Sequence, residues 1–91
     1  MGLVSSLSDK VAEVLSSKTR VKILKLLCEH GSLNISAIVR LTKLNHKVVK
    51  KGLQYLIEQG VIYEISLGRV KTYRLNPANP VARVIYELFT S

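Results

Sequence analysis

The chain has little with which to build chemistry of its own. Its 91 residues include one cysteine, Cys28, so no disulfide forms within one copy and no metal site rests on several thiolates. Trp is absent and aromatics make up 5% of the sequence, which leaves Leu, Ile and Val to pack the core. No apolar run approaches the roughly 20 residues that cross a bilayer. Residues 1–17 also lack a basic start followed by a continuous apolar block. These absences predict a soluble, cytoplasmic chain with no membrane partner. Acids are scarce: six, spread singly, against fourteen Lys and Arg, for a net charge of +8. They offer no carboxylate pair, and there is neither a Gly-rich phosphate loop nor a Ser or Cys nucleophile signature. The expectation is a protein that is not an enzyme, with no cofactor, no metal and no evident small-molecule effector.

What is present in excess is positive charge, beyond what solubility requires, and it points to a polyanionic partner. A chain this short forms one domain, 1–91, and buries a modest share of its surface unless a second subunit helps. Cys28 sits among leucines and reads as a buried structural thiol.

Apolar residues place the elements. Leu3, Leu7, Val11 and Val14 recur at steps of four, four and three, the stripe of an amphipathic helix over 4–15. Ser16 or Ser17 can cap a second, central helix, TRVKILKLLCEH, which Gly31 ends in the left-handed conformation. Lys18, Lys22 and Lys25 form its solvent-facing stripe. After a very short extended piece at Leu33, Asn34 or Ser36 can cap a two-turn helix carrying Ile35, Ile38, Val39 and Leu41. A tight turn over 42–44 leads to Asn45, a favourable cap for HKVVKKGLQYLIEQ, which stops at Gly60. Two helices so joined form a helix-turn-helix. VIYEIS and VKTYRL, linked through Gly68, read as a β-hairpin. Asn76, Pro77 and Pro80 end the strand pattern before a last helix over about 81–89. The fold class is mainly α with a small β-hairpin, a winged helix-turn-helix. Its parts are an N-terminal helix (1–15), core helices and helix-turn-helix (16–60), wing (61–76) and C-terminal helix (78–91).

The helix after Asn45 carries the functional signal. Advancing about 100° per residue puts Val49, Gly52, Leu53, Leu56 and Ile57 on one apolar face. Lys47, Lys50, Lys51 and Gln54 lie opposite, with His46 at the start. Lys donates to guanine and Gln pairs bidentately with adenine, so His46, Lys47, Lys50, Lys51 and Gln54 are the candidate base readers in a major groove. Arg40, Thr42, Lys43 and Asn45 are placed for phosphates, and Arg69 and Lys71 near the wing tip for the flanking minor groove or its phosphates.

With these segments in place, the chain resembles the ArsR-type winged-helix transcriptional regulators over residues 15–77. LSSKTRVKILKLL is similar to that family's opening core helix, NISAIVRLTKLNHKVVKKGLQYLIEQGVI to its helix-turn-helix, and GRVKTYRLNP to its wing. The resemblance implies a homodimer on near-palindromic double-stranded DNA, usually repressing transcription. Metal-sensing members carry paired cysteines before the recognition helix, where this chain has Arg40, Leu41 and Thr42, or acids and histidines on the last helix, where it has Glu87 alone.

The amphipathic end helices predict a dimer interface of Leu3, Leu7, Val11, Val14, Val81, Val84, Ile85, Leu88 and Phe89. It would set two recognition helices about 34 Å apart, one turn of duplex. The alternatives are a nonspecific architectural protein, a winged-helix protein-interaction module, and an RNA binder for which Tyr55 is the nearest stacking residue.

Overall fold

The structure, a computed structural model, describes residues 3–91, with side chains from Ser6 onward. The elements run α1 (Leu3–Val14), α2 (Lys18–His30), β1 (Ser32–Asn34), α3 (Ile35–Thr42), α4 (His46–Glu58), β2 (Ile62–Leu67), β3 (Val70–Leu75) and α5 (Pro80–Thr90). Four helices start at a side chain that accepts from otherwise unpaired amides. Ser17 Oγ accepts from Arg20 N (3.3 Å), Asn34 Oδ1 from Ala37 N (2.8 Å) and Asn45 Oδ1 from Val48 N (2.8 Å). Asn79 Oδ1 takes both Val81 N and Ala82 N, beside Pro80 in the first turn, where a missing amide costs nothing.

The sheet has three antiparallel strands in the order β1-β3-β2. The short piece around Leu33 is thus a paired strand, with Leu33 opposite Tyr73. Leu67 pairs with Val70 across a two-residue turn in which Gly68 has φ 63° and Arg69 does not have positive φ, the pattern of a type II′ hairpin. Gly31 ends α2 at φ 85°, ψ −59°, a positive φ outside the left-handed helical basin expected of it. The root of the hairpin is tied to the end of α4, since Asn76 N donates to Val61 O (2.9 Å) and Asn76 Nδ2 to Gly60 O (3.1 Å).

The core is aliphatic, as the composition requires. Ile23, Leu24 and Leu27 of α2 meet Ile38, Val49, Leu53 and Leu56, with Val61 and Ile62 closing one side and Val81 and Ile85 another. Arg20 binds the first two helices together: its Nε donates to Val14 O (2.9 Å) and Nη2 to Glu13 O (2.8 Å), capping α1.

α1 packs on α5 within the chain, and this corrects part of the expected subunit contact. Val14, Val81 and Ile85 are buried in that intramolecular packing, so they belong to the core of one copy. An apolar stripe records that a helix face is covered, not which molecule covers it. Leu7, Val11, Val84 and Phe89 are half-buried and Leu88 is exposed, while the side chain of Leu3 lies outside the described residues. Among the described residues no helix is long and apolar enough to cross a membrane.

Tyr73 is the buried aromatic of the sheet, its hydroxyl donating to Glu64 Oε2 at 3.0 Å. Burial first, then that hydrogen bond and charge, push its phenol up to about 12. The folded state therefore holds this proton more tightly than the unfolded chain, whose tyrosine titrates near 10. The resulting stabilisation is complete below about pH 10 and is lost as pH rises towards about 12. Urea midpoints measured across that window should fall more steeply for the wild type than for Tyr73→Phe, and parallel curves would contradict the assignment.

Candidate nucleic-acid interface

The geometry of the interface begins in the turn before α4. Thr42, expected among the phosphate-facing residues, is instead buried: its hydroxyl donates to Ile38 O (2.7 Å) and accepts from Leu44 N (3.3 Å). A threonine in a helix can turn its hydroxyl back to the carbonyl four residues before it, and here that bond, with the one from Leu44 N, satisfies the buried side chain. Lys43 follows at φ 61°, ψ 22°, the left-handed conformation that reverses the chain, and its amide donates to Val39 O at 2.9 Å. Asn45 then caps α4, so its Oδ1 is committed to Val48 N although the residue is exposed.

α4 is held by one face and free on the other. Val49, Gly52, Leu53 and Leu56 are buried, and a Cβ on Gly52 would sit 3.0 Å from Ile23 Cδ1, which shows how closely α4 approaches α2. Ile57, assigned to the apolar face, lies at its margin and is 37% exposed. His46, Lys47, Lys50, Lys51 and Gln54 are all exposed on the outer side. Among the described residues none of these lysines has a carboxylate within 4.0 Å, and the same holds for Arg40, Lys43 and Arg69. Such charges contribute nothing to internal ion pairing and remain available to an anionic partner.

On the hairpin, Arg69 occupies the turn itself and is exposed, whereas Lys71 lies 4.0 Å from Glu64 Oε1. Two residues on these surfaces escaped the sequence reading. Val48 is 39% exposed on the first turn of α4, where an apolar contact can meet a thymine methyl. Its helical position, off the apolar face, was the available signal. Arg74 is exposed at the root of β3 with its guanidinium 6.0 Å from the Tyr63 ring centroid. Strand alternation puts it on the outer sheet face. Tyr55 is half-buried with the Arg20 guanidinium 4.0 Å from its ring centroid, so one ring face is already covered.

This arrangement of a buried helix face, a capped turn and an unpaired basic outer face coincides with a known family. The model of the arsR family of bacterial regulatory proteins matches residues 17–64, just over half of the chain. The chain belongs to that family. It is a winged-helix DNA-binding transcriptional regulator, and the matched segment runs from the cap of α2 into β2. Solved structures carry the same fold. The transcriptional repressor PagR of Bacillus anthracis is 23% identical with a TM-score of 0.78, over 97% of this chain and 98% of that one. The transcriptional repressor BigR from Xylella fastidiosa is 20% identical with a TM-score of 0.86, over 96% and 84%. A homodimeric winged helix-turn-helix DNA-binding domain, fragment 1–100 of Mb0332 from Mycobacterium bovis, is 24% identical with a TM-score of 0.72, over 94% and 74%. No match is found among curated proteins.

The left-handed backbone of Lys43 costs conformational energy that glycine avoids. Lys43→Gly should raise the unfolding free energy by about 0.5–1 kcal/mol, read from urea midpoints, and a lower midpoint would show that the lysine side chain stabilises the turn by more than its backbone costs.

Proposed function

We propose that this ArsR-family chain is a repressor that binds a near-palindromic operator as a homodimer, with α4 in the major groove and the β2–β3 hairpin as wing. The observation that carries the reading is the outer face of α4: three lysines, a histidine and a glutamine, exposed on the helix's first turns without a neutralising carboxylate. His46, Lys47, Lys50 and Gln54 are assigned to base edges. Lys51 follows Lys47 by one turn and serves either bases or backbone. Arg40, Lys43, Asn45, Arg69 and Lys71 are assigned to phosphates and the flanking minor groove, and Val48 is added to the base-contacting set. Repression is supported by the description of PagR and BigR as repressors. A homodimer is supported by the description of the Mycobacterium bovis domain and by the partly uncovered Val84 and Leu88 on α5. The reading is of a cytoplasmic binding protein associated with the nucleoid, not of an enzyme.

Replacing Lys47, Lys50 and Lys51 together with Ala should weaken duplex binding and flatten its dependence on salt by about one log–log unit for each phosphate no longer neutralised. An unchanged slope places the DNA surface elsewhere. Gln54→Ala should relax the preference among enriched duplexes, and equal competition by random duplex would identify a nonspecific architectural protein instead. Sedimentation should give twice the chain mass of 10.2 kDa at micromolar concentration, and a monomer alone would refute the dimer.

A further inference from the structure

Two arginines lie outside the proposed DNA-contacting set. Arg74, at the root of β3, and Arg83, in the first turn of α5, both line an open cleft of about 610 Å³ where the C-terminal turn of α2, the end of β3 and α5 converge. No residue of α3, α4 or the wing turn borders it. Its size falls within the roughly 300–1,000 Å³ usual for small-molecule sites. The floor is apolar, with Leu27 and Ala82 buried and the ring of Tyr86 49% exposed above them.

The charges around this floor are not matched to one another. Neither guanidinium has a carboxylate within 4.0 Å among the described residues, although that of Arg74 also lies 6.0 Å from the Tyr63 ring centroid. Of the two carboxylates on the rim, Glu29 lies 3.5 Å from His30 Nε2, and Glu87 leaves Arg83 unpaired although it is one helical turn further on. An unpaired guanidinium presents a planar fork that takes a carboxylate through two parallel hydrogen bonds. The other end of the cleft has the opposite preference, because Glu29 and the negative end of the α2 dipole at Gly31 disfavour an anion there. Cys28 adds no anion, since burial pushes its thiol up.

We propose that this cleft binds a small amphipathic carboxylate, the acid group held by Arg74 and Arg83 and the apolar body lying over Leu27, Ala82 and Tyr86. A molecule seated there joins α5, which carries the proposed subunit contact, to α2, whose far side supports α4. Its use as an effector would rest on the DNA-binding reading; the binding itself does not.

The test is a titration of the isotope-labelled full chain, without DNA, by phenylpropionate and by its uncharged analogue phenylpropionamide, followed by amide NMR shifts. Phenylpropionate should give saturable shifts centred on Gly31, Asn76 and Arg83 at millimolar concentration, and bind about tenfold more tightly than the amide. In an Arg74→Gln/Arg83→Gln variant with an otherwise unchanged spectrum, the carboxylate should fall to the level of the amide. The proposal is overturned by the absence of saturable shifts with the carboxylate, by equal affinity for the two probes, or by undiminished affinity in the double variant. Shifts centred on α4 and the wing turn would overturn it as well, since they would report general anion binding by the DNA-facing cations.

Discussion

Where α4 crosses α2 the two helices come closer than side chains ordinarily permit, and the rest of the molecule is organised around that contact. A Cβ on Gly52 would meet Ile23 Cδ1 at 3.0 Å and Thr19 Cγ2 at 3.3 Å, so any larger residue there requires those side chains to give way. Glycine inside a helix costs up to about 1 kcal/mol relative to alanine, a cost offset here by the packing of Val49, Leu53 and Leu56 against Ile23, Leu24 and Leu27. Because α4 is rooted along this seam, its outer face has one orientation, and the spacing of its lysines in space is set by the core.

Arg20 extends the same contact to α1. Its guanidinium donates to the last carbonyls of α1 and lies over Tyr55 of α4, so one side chain touches three helices. Its bond to Val14 O satisfies a helix-end carbonyl, and Glu13 O is shared with the amide and hydroxyl of Ser16.

The basic surface is the complement of this economy. The core and the caps satisfy the buried polar groups without the lysines of α4, and no buried side-chain polar atom among the described residues is left without a partner. The charges on α4 thus repel one another at some cost to the folded state, a cost that an anionic partner reverses. The hairpin repeats the division: Tyr73 and Glu64 fasten its inner face while Arg69 stands free at the turn.

Much of this was legible in the sequence, because the signals were local. Asn45 has a side chain that reaches an amide three residues on, Ser16 or Ser17 and Asn34 or Ser36 offered the same to the two helices before it, and Gly68 marked the hairpin link, whereas the Asn79 cap and the two-residue turn came from the structure. The 3.6-residue period likewise separated the inner and outer faces of α4. What depended on distant partners could not be read that way. Thr42 looked like any polar residue in a turn; the partners of its hydroxyl, Ile38 O and Leu44 N, lie within four residues, but its burial comes from the packing around it. Val14, Val81 and Ile85 carried an apolar stripe whose covering surface turned out to be their own chain, and Leu33 became a strand only by pairing with Tyr73. The cleft between α2, β3 and α5 draws on three stretches separated by dozens of residues, so no window of sequence contains it. By itself the sequence determined the helices, the hairpin and the face that α4 turns outward, since each follows from chemistry within a few residues; which apolar faces meet, and what hollow they leave, was decided only by tertiary packing, where complementarity between distant surfaces does the selecting.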